Sequence, residues 1–196
     1  MAKRKPRVVV IAGPNGAGKS THADALLDAF NVPIFVNADY IARGLSGRNT
    51  EAVAFEAGRI MLRRLRQLAE ERLDFAFEST LSSKSFAPFL EKLKETGYEV
   101  VVLYFSVASV QLALRRVKQR VKLGGHDVPP DVIKRRFTRS AKNLFSLYMP
   151  LCDAWVVFDN SEGSTASLVA MYSGSATDVM DAPQWIKLKA IAKRNP

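Results

Sequence analysis

Residues 13 to 20 read Gly13-Pro14-Asn15-Gly16-Ala17-Gly18-Lys19-Ser20, directly after the apolar run Val8-Val9-Val10-Ile11-Ala12. The pattern is G-x-x-x-x-G-K-S at the end of a predicted strand and the start of a predicted helix, and that context gives the motif its physical meaning. Glycines let the backbone turn tightly, so that successive N–H groups point into one concavity suited to phosphate oxygens. The helix that begins there adds the positive end of its dipole. Lys19 can then reach the β- and γ-phosphates, and the Ser20 hydroxyl can ligate Mg²⁺. The alternative, a glycine-rich strand-to-helix turn with a surface lysine, explains none of this spacing. The stretch therefore predicts a nucleoside triphosphate site.

Working outward, strands and helices alternate. The pattern predicts a strand at 8–12, a helix from 18 to about 30, a short strand Ile34-Phe35-Val36 and a polar, Gly-containing loop through Asn49. Glu51 to Glu71 carries apolar residues at helical spacing and an Arg-rich outer face. Asp74 to Phe77 reads as a strand, Lys84 to Glu95 as a helix stopped by Gly97, and Tyr98 to Phe105 as a strand buried on both faces. A helix from about 108 to 123 ends at Gly124-Gly125; another runs from Pro130 to about 148, before a last core strand at Trp155 to Phe158. Leu168 to Tyr172 and Asp178 to Met180 suggest an edge hairpin, and Trp185 to Lys193 a terminal helix. This order predicts an α/β protein: a three-layer α/β/α sandwich with a mainly parallel sheet, the P-loop nucleoside triphosphate hydrolase/kinase fold. One domain over residues 1–196 is expected, with a basic tail at 1–7 and a helical lid at about 115–142.

Composition narrows the classes. Hydrophobic residues make up 47 %, ordinary for a globular domain, and no apolar run approaches the ~18 residues of a membrane span. The basic N-terminus leads into a strand and the phosphate loop rather than a cleavable apolar segment, which argues against secretion. The lone Cys152 fits a reducing, cytoplasmic setting and reads as small buried filler beside the strand that follows. The net charge of +10 is concentrated in the tail and in the stretch from Arg115 to Lys142. A lid over phosphates accounts for the second cluster, and no aromatic-basic interleaving accompanies it, so nucleic acid is disfavoured as a partner.

Ligands of an open α/β sheet bind outside the carboxyl ends of its strands. Asn37-Ala38-Asp39, Glu78-Ser79-Thr80 and Asp159-Asn160-Ser161 all fall at such ends. Asp39 is placed to accept a proton from a substrate hydroxyl, or else caps a helix beginning at Tyr40. Glu78 suits a substrate hydroxyl or a metal-bound water, or else a turn; Asn160 suits an adenine contact or a plain turn. Arg116 and Arg120 share one helix face, and Arg135, Arg136 and Arg139 follow beyond Gly124-Gly125-His126. Guanidinium groups from two helices would neutralise charge developing on a transferred phosphoryl group, where a merely solvated basic face would do nothing. His126 reads as a turn residue.

At these residues the chain resembles the zeta toxin family of P-loop kinases. The likeness rests on Gly13 to Thr21, Asn37-Ala38-Asp39, Phe77-Glu78-Ser79-Thr80-Leu81 and the Arg116 to Arg136 segment, and covers roughly residues 7 to 162. It implies ATP- and Mg²⁺-dependent phosphorylation of a sugar hydroxyl on UDP-N-acetylglucosamine or a related UDP-sugar. It implies Lys19 on the phosphates, Asp39 as base, Glu78 on the substrate with Asn37 and Thr80 beside it, and two lid arginines. Those arginines fall on Arg120 and Arg136, with Arg116 and Arg135 as alternatives and Arg116 and Asn160 on the nucleotide. A separate antitoxin protein is the partner the resemblance suggests. Two other classes compete. An ABC-type ATPase is suggested only by Leu45-Ser46-Gly47-Arg48, which no strand ending in paired carboxylates follows. A nucleic-acid-associated polynucleotide kinase is suggested by charge alone.

Overall fold

Val8 to Ala12 are all buried to 2 % exposure or less, because their strand lies inside the sheet with a neighbour on either side. In the computed structural model, which describes residues 4–47, 52–125, 127–162 and 165–194, the strand order is β2-β3-β1-β4-β5-β6-β7. β1 (Arg7–Ala12), β2 (Phe35–Val36), β3 (Phe75–Ser79), β4 (Glu99–Ser106) and β5 (Ala154–Asp159) pair in parallel. β6 (Ser167–Tyr172) and β7 (Thr177–Val179) add an antiparallel hairpin at one edge, as the turn around Gly174 predicts.

Helices cover both faces. α1 (Lys19–Phe30) lays Leu26, Leu27 and Phe30 over Val9, Ala76, Val101 and Leu103. The other face, with Val8, Val10, Phe75, Phe77 and Val102, is covered by α3 (Ala54–Glu70) and α4 (Ala87–Glu95) through Met61, Leu65, Leu90 and Leu93. The period-two alternation of Val8, Val9 and Val10 thus feeds two different cores. α5 (Val110–Lys122) and α6 (Pro130–Asn143) form the expected helix pair, and α8 (Ala182–Ala192) closes the chain. Trp185 of α8 stacks on Trp155 of β5 at 5.7 Å, and Trp155 stacks in turn on its cross-strand partner Tyr172 at 6.0 Å.

Two expectations are corrected. The polar loop after β2 is instead a helix, α2 (Ala38–Ser46), because Asn37 caps it by accepting a bond from the Asp39 N–H at 2.7 Å. Asp39 lies in the first turn, so the capping role weighed for it belongs to Asn37. The single helix expected from Pro130 to 148 changes register: α6 gives way to a π-helical turn, Leu144–Tyr148, then to the short α7 (Met149–Leu151). The wider turn precedes Pro150, which has no N–H to continue an α-helical ladder. In that segment Asn143 Nδ2 donates to the Leu81 carbonyl at 2.7 Å and the Tyr148 hydroxyl to Ser83 at 2.8 Å, pinning the loop after β3.

Cys152 is buried, as read, and its Sγ donates to the Tyr148 carbonyl. Burial pushes its thiol up to about 12, and Asp153 adds to the shift. Burial likewise raises the Tyr148 phenol to about 12. Both groups are held neutral by folding, so their contribution is intact below their unfolded values of roughly 8.5 to 10 and is lost as pH rises toward 12. Native protein should therefore resist a thiol reagent at neutral pH and react fully once denatured. Thermal stability should fall between about pH 9 and 12. Rapid native labelling of Cys152 would contradict this burial.

Candidate active site

The strand order brings β1 beside β3 while β2 lies beyond β3, so the crossovers diverge at the β1/β3 carboxyl ends, where ligands of such sheets bind. The phosphate loop leaves β1 there. Its tightness has a steric cause: a Cβ on Gly13, at φ +138°, would lie 2.3 Å from the Phe105 carbonyl oxygen, and one on Gly16 would lie 2.7 Å from that of Ala113. No larger residue fits either place without moving backbone. Gly18 caps α1 in a left-handed conformation, so the N-terminal N–H groups of that helix face the loop's concavity.

Lys19 is 5 % exposed. Its ammonium donates to the Pro14 carbonyl at 3.1 Å and lies 3.5 Å from Glu78 Oε1. The other carboxylate oxygen, Oε2, accepts from the Ser20 hydroxyl at 2.8 Å and from Asn37 Nδ2 at 3.0 Å. Glu78 lies inside β3 rather than after it, in register with Ile11 of β1. A single carboxylate thereby joins the phosphate loop's lysine and serine to the start of α2.

Asn37 is 4 % exposed and both ends of its amide are engaged, one by Asp39 N–H and the other by Glu78. These bonds give Asn37 a positioning role as well: it fixes Asp39 relative to the phosphate loop from its place on the cleft wall. Thr80 shares a short hydrogen bond of 2.8 Å with Ser82 and keeps its place on the cleft wall.

One cleft of about 840 Å³ is lined by Asn15, Gly16, Gly18, Lys19, Ser20, Thr21, Asn37, Asp39, Glu78, Thr80, Arg116, Arg120 and Arg136. Arg120 of α5 and Arg136 of α6 both line it. Burial and the neighbouring Arg135 press the Arg136 guanidinium below its ordinary value, while the Asp39 carboxylate, which lines the same cleft, opposes them. Arg135 and Arg139 do not line the cleft. Gly125 N–H bonds the Arg120 carbonyl and the turn folds back over the Arg120 stem; His126 lies outside the described residues.

Arg116, which also lines the cleft, and Asn160 brace the backbone around the phosphate loop. Arg116 donates to the carbonyls of Asn160 at 2.6 Å, Ser161 at 2.9 Å and Gly16 at 3.5 Å. Asn160 is 3 % exposed and donates from Nδ2 to the Ala17 carbonyl at 2.9 Å. It is thus a strut beneath the phosphate loop. Sequence reasoning missed the α3 wall of the cleft, formed by Phe55, Gly58, Arg59 and Leu62. The amphipathic pattern announces that helix, but no local signal says that Phe55, Gly58, Arg59 and Leu62 border the cleft.

Fold and cleft together define a P-loop kinase architecture, and comparison with known proteins makes the class specific. The family described as zeta toxin matches residues 1–165. The chain belongs to the zeta toxin family. An uncharacterised protein of Haemophilus influenzae is 33 % identical over 131 residues, spanning 67 % of this chain and 92 % of that relative. Among solved structures, a chain of the AvrRxo1-ORF1:AvrRxo1-ORF2 complex with sulphate ions superposes with a TM-score of 0.80 at 18 % identity. That match covers 98 % of this chain but only 66 % of the other. The same pair with ATP gives a TM-score of 0.78. The PezAT toxin–antitoxin system of Streptococcus pneumoniae gives 0.65 at 16 % identity, covering 98 % of this chain and 87 % of its counterpart. At such identities the structural likeness speaks for the fold. No helix among the described residues is long and apolar enough to cross a membrane.

The Asn37 bridge can be dissected. Asn37→Ala should cost about 1 kcal/mol of stability through the lost cap and should also lower turnover. Asn37→Ser should recover most of that stability, since a serine caps well, but not the turnover, since its hydroxyl does not span to Glu78. Equal recovery of melting temperature and activity by serine would show that Asn37 acts only as a cap.

Proposed function

We propose that this chain transfers the γ-phosphate of ATP to a sugar hydroxyl of UDP-N-acetylglucosamine or a related UDP-sugar. The observation that carries this reading is the convergence of Lys19, Asp39, Glu78, Arg120 and Arg136 on one cleft at the β1/β3 carboxyl ends. The phosphate loop cradles the triphosphate, with Lys19 on its β- and γ-phosphates. Asp39 takes the proton of the attacking hydroxyl. As the new O–P bond forms, the bond from the γ-phosphorus to the β–γ bridging oxygen breaks and ADP departs. Arg120 and Arg136 stabilise charge on the phosphoryl group in flight. Glu78 turns from Ser20 and Lys19 toward the acceptor or the ion.

The donor set suits Mg²⁺. A hydroxyl and one carboxylate beside bound phosphates match the oxygen ligands that ion prefers, since it keeps several waters and needs no protein cage. Ser20 and Glu78 would hold it, and it would neutralise phosphate charge. The absence of any group of three His, Cys, Asp or Glu among the described residues agrees with this kind of site. A separate antitoxin protein is the expected partner, as in the PezAT system. The cytoplasm is the expected compartment, in keeping with the reduced Cys152 thiol.

The polynucleotide-kinase reading loses ground. Two of the basic tail residues are paired at the amino ends of the strands, Arg4 with Asp74 and Arg7 with Glu99 at 2.7 Å, away from the cleft. The ABC reading loses its motif, since Leu45 and Ser46 simply end α2.

Incubation with Mg²⁺-ATP and a panel of UDP-sugars, nucleosides and oligonucleotides, with products identified by mass, tests the assignment; phosphorylation confined to oligonucleotides would overturn it. Asp39→Asn should cut transfer by roughly 10²-fold or more while leaving ATP affinity little changed. A variant that keeps its turnover would remove Asp39 from the chemistry. Arg120→Ala and Arg136→Ala should each lower kcat more than they weaken ATP binding, and lysine should rescue poorly because it lacks the guanidinium fork. Full kcat in both alanine variants would leave the helix pair a solvated basic face.

A further inference from the structure

Arg136 shares its helix face with two buried polar side chains. Ser140 and Asn143 follow it at i+4 and i+7, so the three form one stripe about 10 Å long on α6. Ser140 is fully buried and Asn143 is 6 % exposed. Both have made their bonds. The Ser140 hydroxyl shares a 3.0 Å hydrogen bond with the equally buried Tyr104 hydroxyl of β4, and Asn143 Nδ2 donates to the Leu81 carbonyl. Leu81 has φ +52°, a left-handed backbone that a leucine keeps only where its surroundings hold it. The π-helical turn serves the same end. In a plain α-helix Tyr148, five residues after Asn143, would point about 140° away from it. The turn takes up an extra residue, with the Met149 N–H bonded to the Leu144 carbonyl, and so brings Tyr148 back by about 100°. Its hydroxyl then reaches the Ser83 carbonyl in the same loop that Asn143 holds.

We propose that Asn143 and Ser140 are positioning residues for Arg136: their buried bonds fix the rotation and height of α6, and with them the place of the Arg136 guanidinium in the cleft. This inference rests on the kinase reading above and deepens it. The physical case is one of register. A polar group buried among apolar ones is costly unless its bond is made, so a helix carrying two of them has one rotation that satisfies both. The apolar part of the face sets no such condition. Ile133, Phe137, Ala141 and Leu144 are buried there, and hydrophobic groups repack around a small rotation far more tolerantly. A slip of α6 by one residue would turn Arg136 by about 100°, away from the cleft it lines. The two bonds also refer the helix to two separate landmarks. Ser140 ties it to β4, the neighbour of the strand that leads into the phosphate loop. Asn143 ties it to the loop after β3, whose Thr80 and Ser83 line the same cleft. Arg136 is thereby located against both.

The test separates position from stability. Binding of ADP with aluminium fluoride and Mg²⁺, a mimic of the phosphoryl group in flight, is measured by calorimetry in wild type, Arg136→Ala, Asn143→Ala, Tyr104→Phe and the double variant Arg136→Ala/Asn143→Ala. Arg136→Ala and Asn143→Ala should each weaken the mimic by about tenfold or more, the scale of a lost charge-assisted hydrogen bond, with ADP alone bound as in wild type. Tyr104→Phe removes one hydroxyl and keeps its ring in the core, and it should act in the same direction by a smaller factor. In turnover kcat should follow the mimic while the KM for ATP moves little. In the double variant Asn143→Ala should add almost nothing to the loss from Arg136→Ala, because a positioning residue has no effect once the group it positions is gone. Should Asn143→Ala fail to fold, Tyr104→Phe with and without Arg136→Ala makes the same comparison. Additive losses in the double variant would overturn the proposal, and so would single variants of lowered melting temperature that bind the mimic as wild type does. If mimic binding depends on Asn143 through Arg136 while wild type phosphorylates no UDP-sugar, the positioning stands and the UDP-sugar reading falls.

Discussion

Glu78 is the constraint on which the cleft depends. Its side chain is 14 % exposed and lies 3.5 Å from the nearly buried Lys19 ammonium. A carboxylate so placed is costly unless paired and hydrogen-bonded, and Ser20 and Asn37 supply the remaining bonds. The consequence reaches three elements at once. The phosphate loop is held to β3 through Lys19 and Ser20, and α2 is held to the same carboxylate through Asn37. Removing one partner of such a set strands the others, so the group behaves as a unit.

The same cleft gathers the arginines of α5 and α6: the bridge draws positive charge from the loop around one carboxylate, Arg120 and Arg136 add more, and Asp39 offsets part of it. On the proposed function, a triphosphate's oxygens would compete with Glu78 for Lys19 and Ser20 and free the carboxylate for the ion or the acceptor. Arg116 and Asn160 hold the loop's carbonyls in place, a fixed backbone for such an exchange.

Much of this was legible in the sequence because it is local. The phosphate loop follows its strand within a few residues, and Gly13, Gly16, Gly18 and Lys19 declare their purpose by spacing. Val8 to Ala12 read as a strand, and Tyr98 to Phe105, continuously apolar, as one buried on both faces. What stayed hidden depends on tertiary partners. The Asn37 bridge was not readable, because nothing nearby in sequence reveals that Glu78, 41 positions later, takes its amide. The backbone carbonyls that Arg116 and Asn160 hold were equally hidden, since the β4–β5 crossover brings them close. The helix α2 entered only as the alternative reading of Asp39 as a cap, because its true cap, Asn37, lies at the end of a two-residue strand where propensity is weak. Arg59 lacked any signal, since periodicity identifies a helix face without saying what the face borders.

The central claim is that the cleft couples ATP cleavage to an acceptor hydroxyl. The most direct measurement is the rate of ADP formation with and without a UDP-sugar, alongside the amount of phosphorylated UDP-sugar formed. The account predicts slow ADP release alone, a marked rise with acceptor, and one phosphorylated acceptor for each ADP. ADP released at the same rate in both mixtures, with no phosphorylated acceptor, would contradict it and leave the chain an ATPase.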